Sequence, residues 1–249
     1  MDTLTAKSLE PKKLLSGSTL KMIALFTMLI DHVAAVLLVR ILLVKGYDET
    51  LYNVYQVMRK IGRIAFPIFI FLMIEGFEKT HDRKKYILRM AAFAVISEVP
   101  FDLAFKAQVL EFSYQNIFFT LLIGMLLMGI FDYIGRQNLH IFLQLWLCFA
   151  VFVVGMELAE FLHTDYGAKG IMCIIAMYIF RKNRMYQILA GSIAFLWEVT
   201  APLAFVPIAF YNGQRGLKLK YIFYVFYPLH LIIIYLICMA LGIHECPVV

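Results

Sequence analysis

The sequence predicts an all-α polytopic membrane protein with about nine transmembrane helices and a cytoplasmic amino terminus, and three observations carry that expectation. Apolar residues make up 62% of the 249 and charged residues 16%, against roughly 45–50% and about 25% in a soluble domain. Mean hydropathy is +0.80. The excess is distributed as runs near the ~20 residues that cross a bilayer, without the alternating segments of about ten residues that mark a membrane β-barrel. The basic residues gather in the joints between runs, so the net charge of +6 reads as a topology signal and no nucleic-acid partner is expected.

Residues 1–19, charged and interrupted by Pro11, are expected to form a short cytoplasmic arm, and 20–249 a single transmembrane helical domain. The first run, 20–43, is too long and too polar at its centre for a cleaved signal peptide. The second, 57–77, starts among Arg59, Lys60 and Arg63. The third, 87–106, carries Glu98, Pro100 and Asp102, and its proline is expected to kink it toward a cavity. The fourth, 116–134, opens at Gln115-Asn116, and the fifth, 139–162, is almost wholly apolar. Three short runs follow, 166–181, 184–199 and 201–213; Pro202 and Pro207 make the last the least helix-like, because interior proline breaks helical hydrogen bonding. The ninth is 220–243.

Loop charge supports this count. Alternate joints hold Lys79, Arg83, Lys84, Lys85 and Arg89, then Arg136, then Arg181, Lys182 and Arg184, then Arg215, Lys218 and Lys220. The opposite joints after the first hold only Lys106 and Lys169, the asymmetry expected when the first group faces the cytoplasm. The first outer joint departs from the pattern with Arg40, Lys45, Arg59, Lys60 and Arg63, which points to some of these being buried in a site. Four cysteines occur without CxxC or other metal-ligand spacing, so neither a disulfide framework nor a metal centre is expected.

Asp31-His32 stands in the middle of the first run. An ionisable side chain at the centre of a bilayer costs at least about 2.5 kcal/mol on insertion scales, so it faces a cavity or a partner. With a rise of about 1.5 Å per residue, His32 lies roughly 18 Å along its run, Glu98 about 16 Å and His230 about 15 Å. Three titratable groups from three helices thus share a level. Asp31 leaves its helix about 100° from His32 and reads as a brace for the site. Nearer the outer face, Arg63 and Asp102 are the expected buried ion pair, with Glu198 and Asn116 close by. Glu75, Asp132, Glu157 and Glu160 fall near run ends and are expected at the headgroups.

No HExxH, GxSxG or Walker A sequence occurs. A base, a carboxylate and an arginine suit acyl transfer: the histidine accepts the proton of an attacking amine or hydroxyl, a carboxylate orients the imidazole, and an arginine or amide steadies the oxyanion or holds a phosphate. Lys84, Lys85 and Arg215 in the basic joints would attract the phosphates of a CoA thioester.

Several strings resemble the TraX family: LKMIALFTMLIDHVAAVL (20–37), GRIAFPIFIFLMIEGF (62–77), RKKYILRMAAFAVISEVPFDLAF (83–105), EFSYQNIFFTLLIG (111–124), DYGAKG (165–170) and FYVFYPLHL (223–231). Ala34 departs from a glycine common after the Asp-His pair. The family takes its name from an inner-membrane protein that acetylates the amino terminus of conjugative pilin, and it looks related to the acyltransferase-3 and heparan-α-glucosaminide acetyltransferase groups. The resemblance implies a multi-pass acetyltransferase of the bacterial cytoplasmic membrane that uses acetyl-CoA and no metal. Its acceptor would be a peptide amino terminus, a glycan or a lipid-linked sugar. It implies His32 as the catalytic base; Asp31, Glu98 and His230 are expected to assist it, with Arg63, Asp102 and Asn116 at the substrate. A proton-coupled transporter that uses His32, Glu98 and His230 as its relay is the competing expectation, although no internal repeat supports it.

Overall fold

A computed structural model describes residues 14–217 and 220–248. Residues 1–13 of the expected arm and Lys218 of the last basic joint lie outside the described residues. Helix α1 (Gly17–His32) starts at a Ser16 cap, whose hydroxyl accepts from the Thr19 amide. It continues through a π-helical stretch, Val33–Leu38, into α2 (Val39–Lys45), so that 29 residues run without interruption. The wider π turn begins directly after His32. Such turns re-aim the side chains around them and recur at functional sites.

The second run does not form one helix. It is divided into α3 (Glu49–Gly62) and α4 (Ala65–Lys79), with Arg63 and Ile64 between them. Asp31 lies against α3 where a Cβ on residue 62 would stand, so the close approach requires Gly62. Pro67 is accommodated in the first turn of α4, where its missing N–H has no helical partner to lose. Helix α5 (Arg83–Lys106) is continuous through Pro100 and ends at Ala107 in left-handed conformation. There the wholly buried Arg40 donates to the Ala104 carbonyl at 2.6 Å and to the Cys246 carbonyl at 2.8 Å. These bonds fasten the carboxy-terminal segment over the end of α5.

Helices α6 (Ile117–Gly135), α7 (Ile141–Phe161), α8 (Gly167–Ile179) and α9 (Arg184–Ala194) follow close to their expected bounds. The run at 201–213 holds only a 3-10 turn (Ala201–Ala204) and a five-residue helix α10 (Phe205–Ala209), well short of a bilayer crossing, because Pro202 and Pro207 limit each piece to a first turn. Helix α11 (Lys220–Ala240) packs along α5.

Among the described residues, Gly17–Lys45, Ile117–Gly135 and Ile141–Phe161 are long and apolar enough to cross a membrane, and Gly167–Ile179 and Tyr224–Ala240 are shorter apolar helices. Helix α7 buries only Gly155 and Ala159 and exposes Phe142, Trp146, Phe149 and Phe161, an arrangement suited to lipid. Two apolar cores form, one among α4, α6, α8 and α10, the other among α1, the π stretch, α5 and α11. Phe69, Ile117 and Phe118 pack against both. The seam between the cores holds the cavities.

Candidate active site

His32, at the end of α1, and His230, six residues into the apolar part of α11, meet across this seam. His32 Nδ1 lies 2.6 Å from His230 Nε2, with the rings nearly parallel at 7°. His230 Nδ1 lies 2.7 Å from the Phe226 carbonyl. A carbonyl only accepts, so Nδ1 of His230 carries the proton and its Nε2 is the acceptor in the neutral ring. His32 Nδ1 must then be the donor, which leaves the Nε2 lone pair of His32 unprotonated. One backbone carbonyl thereby sets both tautomers. Phe105 and Tyr227 enclose His32 edge-on, with ring centroids at 5.8 and 5.9 Å.

A cavity of about 110 Å³ opens beside this pair, lined by Asp31, His32, Arg59, Arg63, Tyr114 and Asp165 among others. Arg59 donates to Asp31 at 2.7 Å. Arg63 leaves the break between α3 and α4, donates to the Tyr166 hydroxyl at 3.3 Å and lies 3.4 Å from Glu198. Tyr114 donates to Asp165 at 2.7 Å. The loop carrying Asp165 is held by two backbone bonds, Gln115 to the His163 carbonyl and Asp165 to the Gln115 carbonyl, and by the Thr120 hydroxyl. Burial raises the Asp165 carboxyl above the usual carboxylate range, against the opposing pull of Tyr114 and Arg63. Polar loops before α6 and before α8 thus close a chamber against the first helix.

A second cavity of about 540 Å³ runs from this chamber toward the Gly17 end of α1. Leu25, Leu72, Met73 and Leu121 give it apolar walls, and Lys21, Lys79, Arg89 and Arg215 outnumber Glu75 at its mouth. Met28, Phe69, Ile117 and Tyr227 line both cavities and form their common wall. Arg215 is positioned by the loop before α11: Gly17 donates to the Gln214 carbonyl at 2.8 Å, Ser18 to the Arg215 carbonyl at 2.9 Å, and Leu217 to the Ser18 hydroxyl at 3.0 Å. Gly216, at φ 71° against the Ser16 and Ser18 side chains, permits that turn.

Several expected partners are exchanged. Asp102 does not pair with Arg63: it accepts from the Glu111 amide at 2.9 Å, because the chain after α5 folds back over it while the break at residue 63 turns Arg63 toward Tyr166. Glu98 reaches neither histidine. It accepts from Asn116, which also caps α6 and donates to the Ala94 carbonyl at 2.9 Å, so Glu98 and Asn116 fix the start of α6 outside the two cavity linings. The orienting role assigned to a carboxylate falls to the Phe226 carbonyl. Lys84 and Lys85 are exposed, Lys85 beside Asp82 at 3.1 Å, and neither lines the larger cavity; of the three basic residues expected at CoA phosphates, only Arg215 does. Asp132, expected at the headgroups, is enclosed by Arg83, Arg181 and Tyr178.

Of the five basic residues in the first outer joint, Arg40 is buried and Arg59 and Arg63 line the small cavity, whereas Lys45 and Lys60 are exposed. Sequence reasoning did not single out Tyr114, Tyr166, Asp165 or Tyr227 as site residues, nor Lys21, Lys79 and Arg89 at the larger mouth. Asp165 and Tyr166 open DYGAKG, and Tyr227 stands in FYVFYPLHL, three residues before His230.

The family model described as TraX protein matches residues 16–238. The chain is 26% identical over 256 residues to the probable fimbrial assembly protein FimC, serogroup H1, of Dichelobacter nodosus, covering 90% of this chain and 95% of that protein. No solved structure matches the chain.

Proposed function

The chain belongs to the TraX family, and from that premise we propose that it is an integral membrane acyltransferase carrying an acetyl group from acetyl-CoA to an amine or hydroxyl acceptor. The observation that carries this reading is the pair of cavities meeting beside a histidine whose Nε2 lone pair is left free by its tautomer. Acetyl-CoA enters the larger cavity with its phosphates against Lys21, Lys79, Arg89 and Arg215 and its pantetheine arm along the apolar walls. The thioester reaches the common wall, and the acceptor waits in the smaller cavity. His32 Nε2 takes the acceptor proton as the new bond to the carbonyl carbon forms. The tetrahedral intermediate then expels the CoA thiolate, which recovers the proton from His32. The imidazolium formed in between shares its Nδ1 proton with His230.

In this reading the chain is a multi-pass protein of the bacterial cytoplasmic membrane, oriented with the Gly17 end of α1 toward the cytoplasm, where acetyl-CoA is made. The smaller cavity then receives its acceptor from the other side. A peptide amine or a glycan hydroxyl of a surface structure is the acceptor class that suits a relative named for fimbrial assembly. Calorimetry of the purified protein with CoA, followed by transfer of labelled acetyl to membrane fractions, tests the reading. Binding and transfer that His32→Ala abolishes in its transfer part are expected; folded protein that neither binds CoA nor transfers acetyl would refute it.

A further inference from the structure

Acyl transfer, on which this inference rests, places negative charge on the thioester oxygen, and a site that carries out the reaction needs a donor aimed at that atom. The donor must stand where the two cavities meet, because the thioester arrives from one and the acceptor from the other. Four residues form that common wall, and Met28, Phe69 and Ile117 have apolar side chains. Tyr227 brings a phenolic O–H.

The other strong donors of the smaller cavity are turned toward partners inside it, and none of them lines the larger cavity as Tyr227 does. Arg59 is held by Asp31, Arg63 by Glu198 and Tyr166, and Tyr114 by Asp165. Tyr166 stands away from the common wall, stacked on Phe66 at 4.0 Å. The Tyr227 hydroxyl donates to no partner among the described residues. Its ring is fixed on several sides: edge-on to His32 at 5.9 Å, edge-on to His230 at 5.6 Å, and against Phe118 at 4.8 Å. A rigid ring with an unengaged donor, next to the base and between the two substrates, has the attributes of an oxyanion donor.

We propose that Tyr227 is a catalytic residue whose hydroxyl donates a hydrogen bond to the thioester carbonyl oxygen as the tetrahedral intermediate forms. In the balanced step the acceptor nitrogen or oxygen bonds to the carbonyl carbon and its proton passes to His32 Nε2. The carbonyl π electrons move to oxygen, where Tyr227 O–H stabilises them without giving up its proton. Collapse re-forms the C=O bond, breaks the C–S bond and returns the proton from His32 to sulfur, leaving acetylated acceptor and free CoA.

Tyr227→Phe removes the hydroxyl and keeps the ring contacts. Full-length protein in detergent, with acetyl-CoA as donor, hydroxylamine as a small nucleophilic acceptor and free thiol as the readout, gives kcat and KM separately. The variant is expected to lose about 10²–10³-fold in kcat, with KM for acetyl-CoA, CoA affinity and melting temperature unchanged. Wild-type kcat in the variant would overturn the assignment, as would a loss expressed wholly in KM or CoA affinity, which belongs to a wall residue. Wild-type protein that binds no CoA and releases no thiol overturns the acyltransfer reading and this assignment together, whereas wild-type turnover matched by the variant overturns the assignment alone.

Discussion

His32 Nδ1 and His230 Nε2 are 2.6 Å apart, and the Phe226 carbonyl behind His230 determines which of the two nitrogens donates. On the acyltransferase reading proposed above, the arrangement takes the place of the acid–histidine pair found in many acyl-transfer sites. A neutral orienting ring avoids burying a carboxylate beside the base, where it would need its own compensation.

On that reading, loss of the proposed base and loss of its orienting ring differ. His32→Ala is expected to lower turnover by about 10²–10⁴-fold, the usual contribution of a general base. His230→Phe removes the acceptor that holds His32 in one tautomer, and wrong-tautomer losses in acyl-transfer sites reach about 10⁴-fold. His230→Gln restores an acceptor oxygen and should recover part of the rate. The double variant should fall little below the worse single one, since the two rings act as a unit. Kinetics with a fixed acceptor check the series, and additive losses would argue against a coupled pair.

The contact between Gly62 and Asp31 predicts a steric effect on stability. A Cβ at position 62 would occupy the space of the Asp31 side chain, so Gly62→Ala should destabilise the protein by about 1–3 kcal/mol, as overpacking does. Gly135 has nothing within 4 Å of the equivalent position, so Gly135→Ala should be close to neutral. Thermal melting of the two variants in one detergent makes the comparison. Equal melting temperatures would mean that Asp31 is free to move aside.

Asp31 and Arg59 form a pair whose partners are not interchangeable with solvent. Either single substitution, Asp31→Asn or Arg59→Gln, leaves the other group partly buried and uncompensated; fully buried cases cost about 3–5 kcal/mol, and exposure to the cavity brings this lower. The double substitution should recover part of the stability. A double-mutant cycle by melting measures the coupling, and additivity would remove the pair from the account.

How much of this was legible beforehand depended on the range of the contacts. Most of the helical runs were readable because each carries enough apolar surface to dictate its own burial, whereas 57–77 breaks at Arg63 and 201–213 breaks at its prolines. His32 and His230 were brought together by counting depth, which works when the helices involved run uninterrupted to the level compared. Arg63 defeated the same count, because the interruption after Gly62 redirects it from Asp102 to Tyr166 and Glu198. Glu98, counted to the level of the histidines, turns instead to Asn116. Arg59 was foreshadowed by a surplus of positive charge in a joint that the topology rule leaves sparse. Asp165 and Tyr114 reach the site through loops folded back against the bundle, and no local pattern encodes which loop residues turn inward.

Arg40 predicts the behaviour of the carboxy-terminal segment. It is wholly buried and donates to the carbonyls of Ala104 and Cys246, while the Val248 amide donates to Phe105 at 2.9 Å. Arg40→Met should lose at least one charge-assisted hydrogen bond, about 1.5–3 kcal/mol, and release the segment after Ile243. Limited proteolysis followed by mass measurement should show cleavage there in the variant and not in the wild type. An unchanged digest would mean that the apolar contacts of Ile243 and Val248 hold the segment without it.

On the acyltransferase reading proposed above, the basic mouth of the larger cavity separates residues placed to contact CoA from residues that only contribute positive charge nearby. Arg89 and Arg215 line it, whereas Lys84 and Lys85 are exposed elsewhere on the same end of the bundle. A solvent-screened charge contributes up to about 1 kcal/mol, so Arg89→Ala and Arg215→Ala should each weaken CoA binding by about fivefold, and the pair by more. Lys84→Ala and Lys85→Ala should leave it unchanged at physiological salt, where charges beyond about 8 Å are screened. Raising the ionic strength should weaken the wild type toward the variants, because the term that it removes is the one already deleted. Calorimetric titration with CoA over a salt series measures all of these. Equal sensitivity to Lys84, Lys85, Arg89 and Arg215 would indicate a diffuse field at the membrane face, with no seat for the phosphates in the cavity mouth.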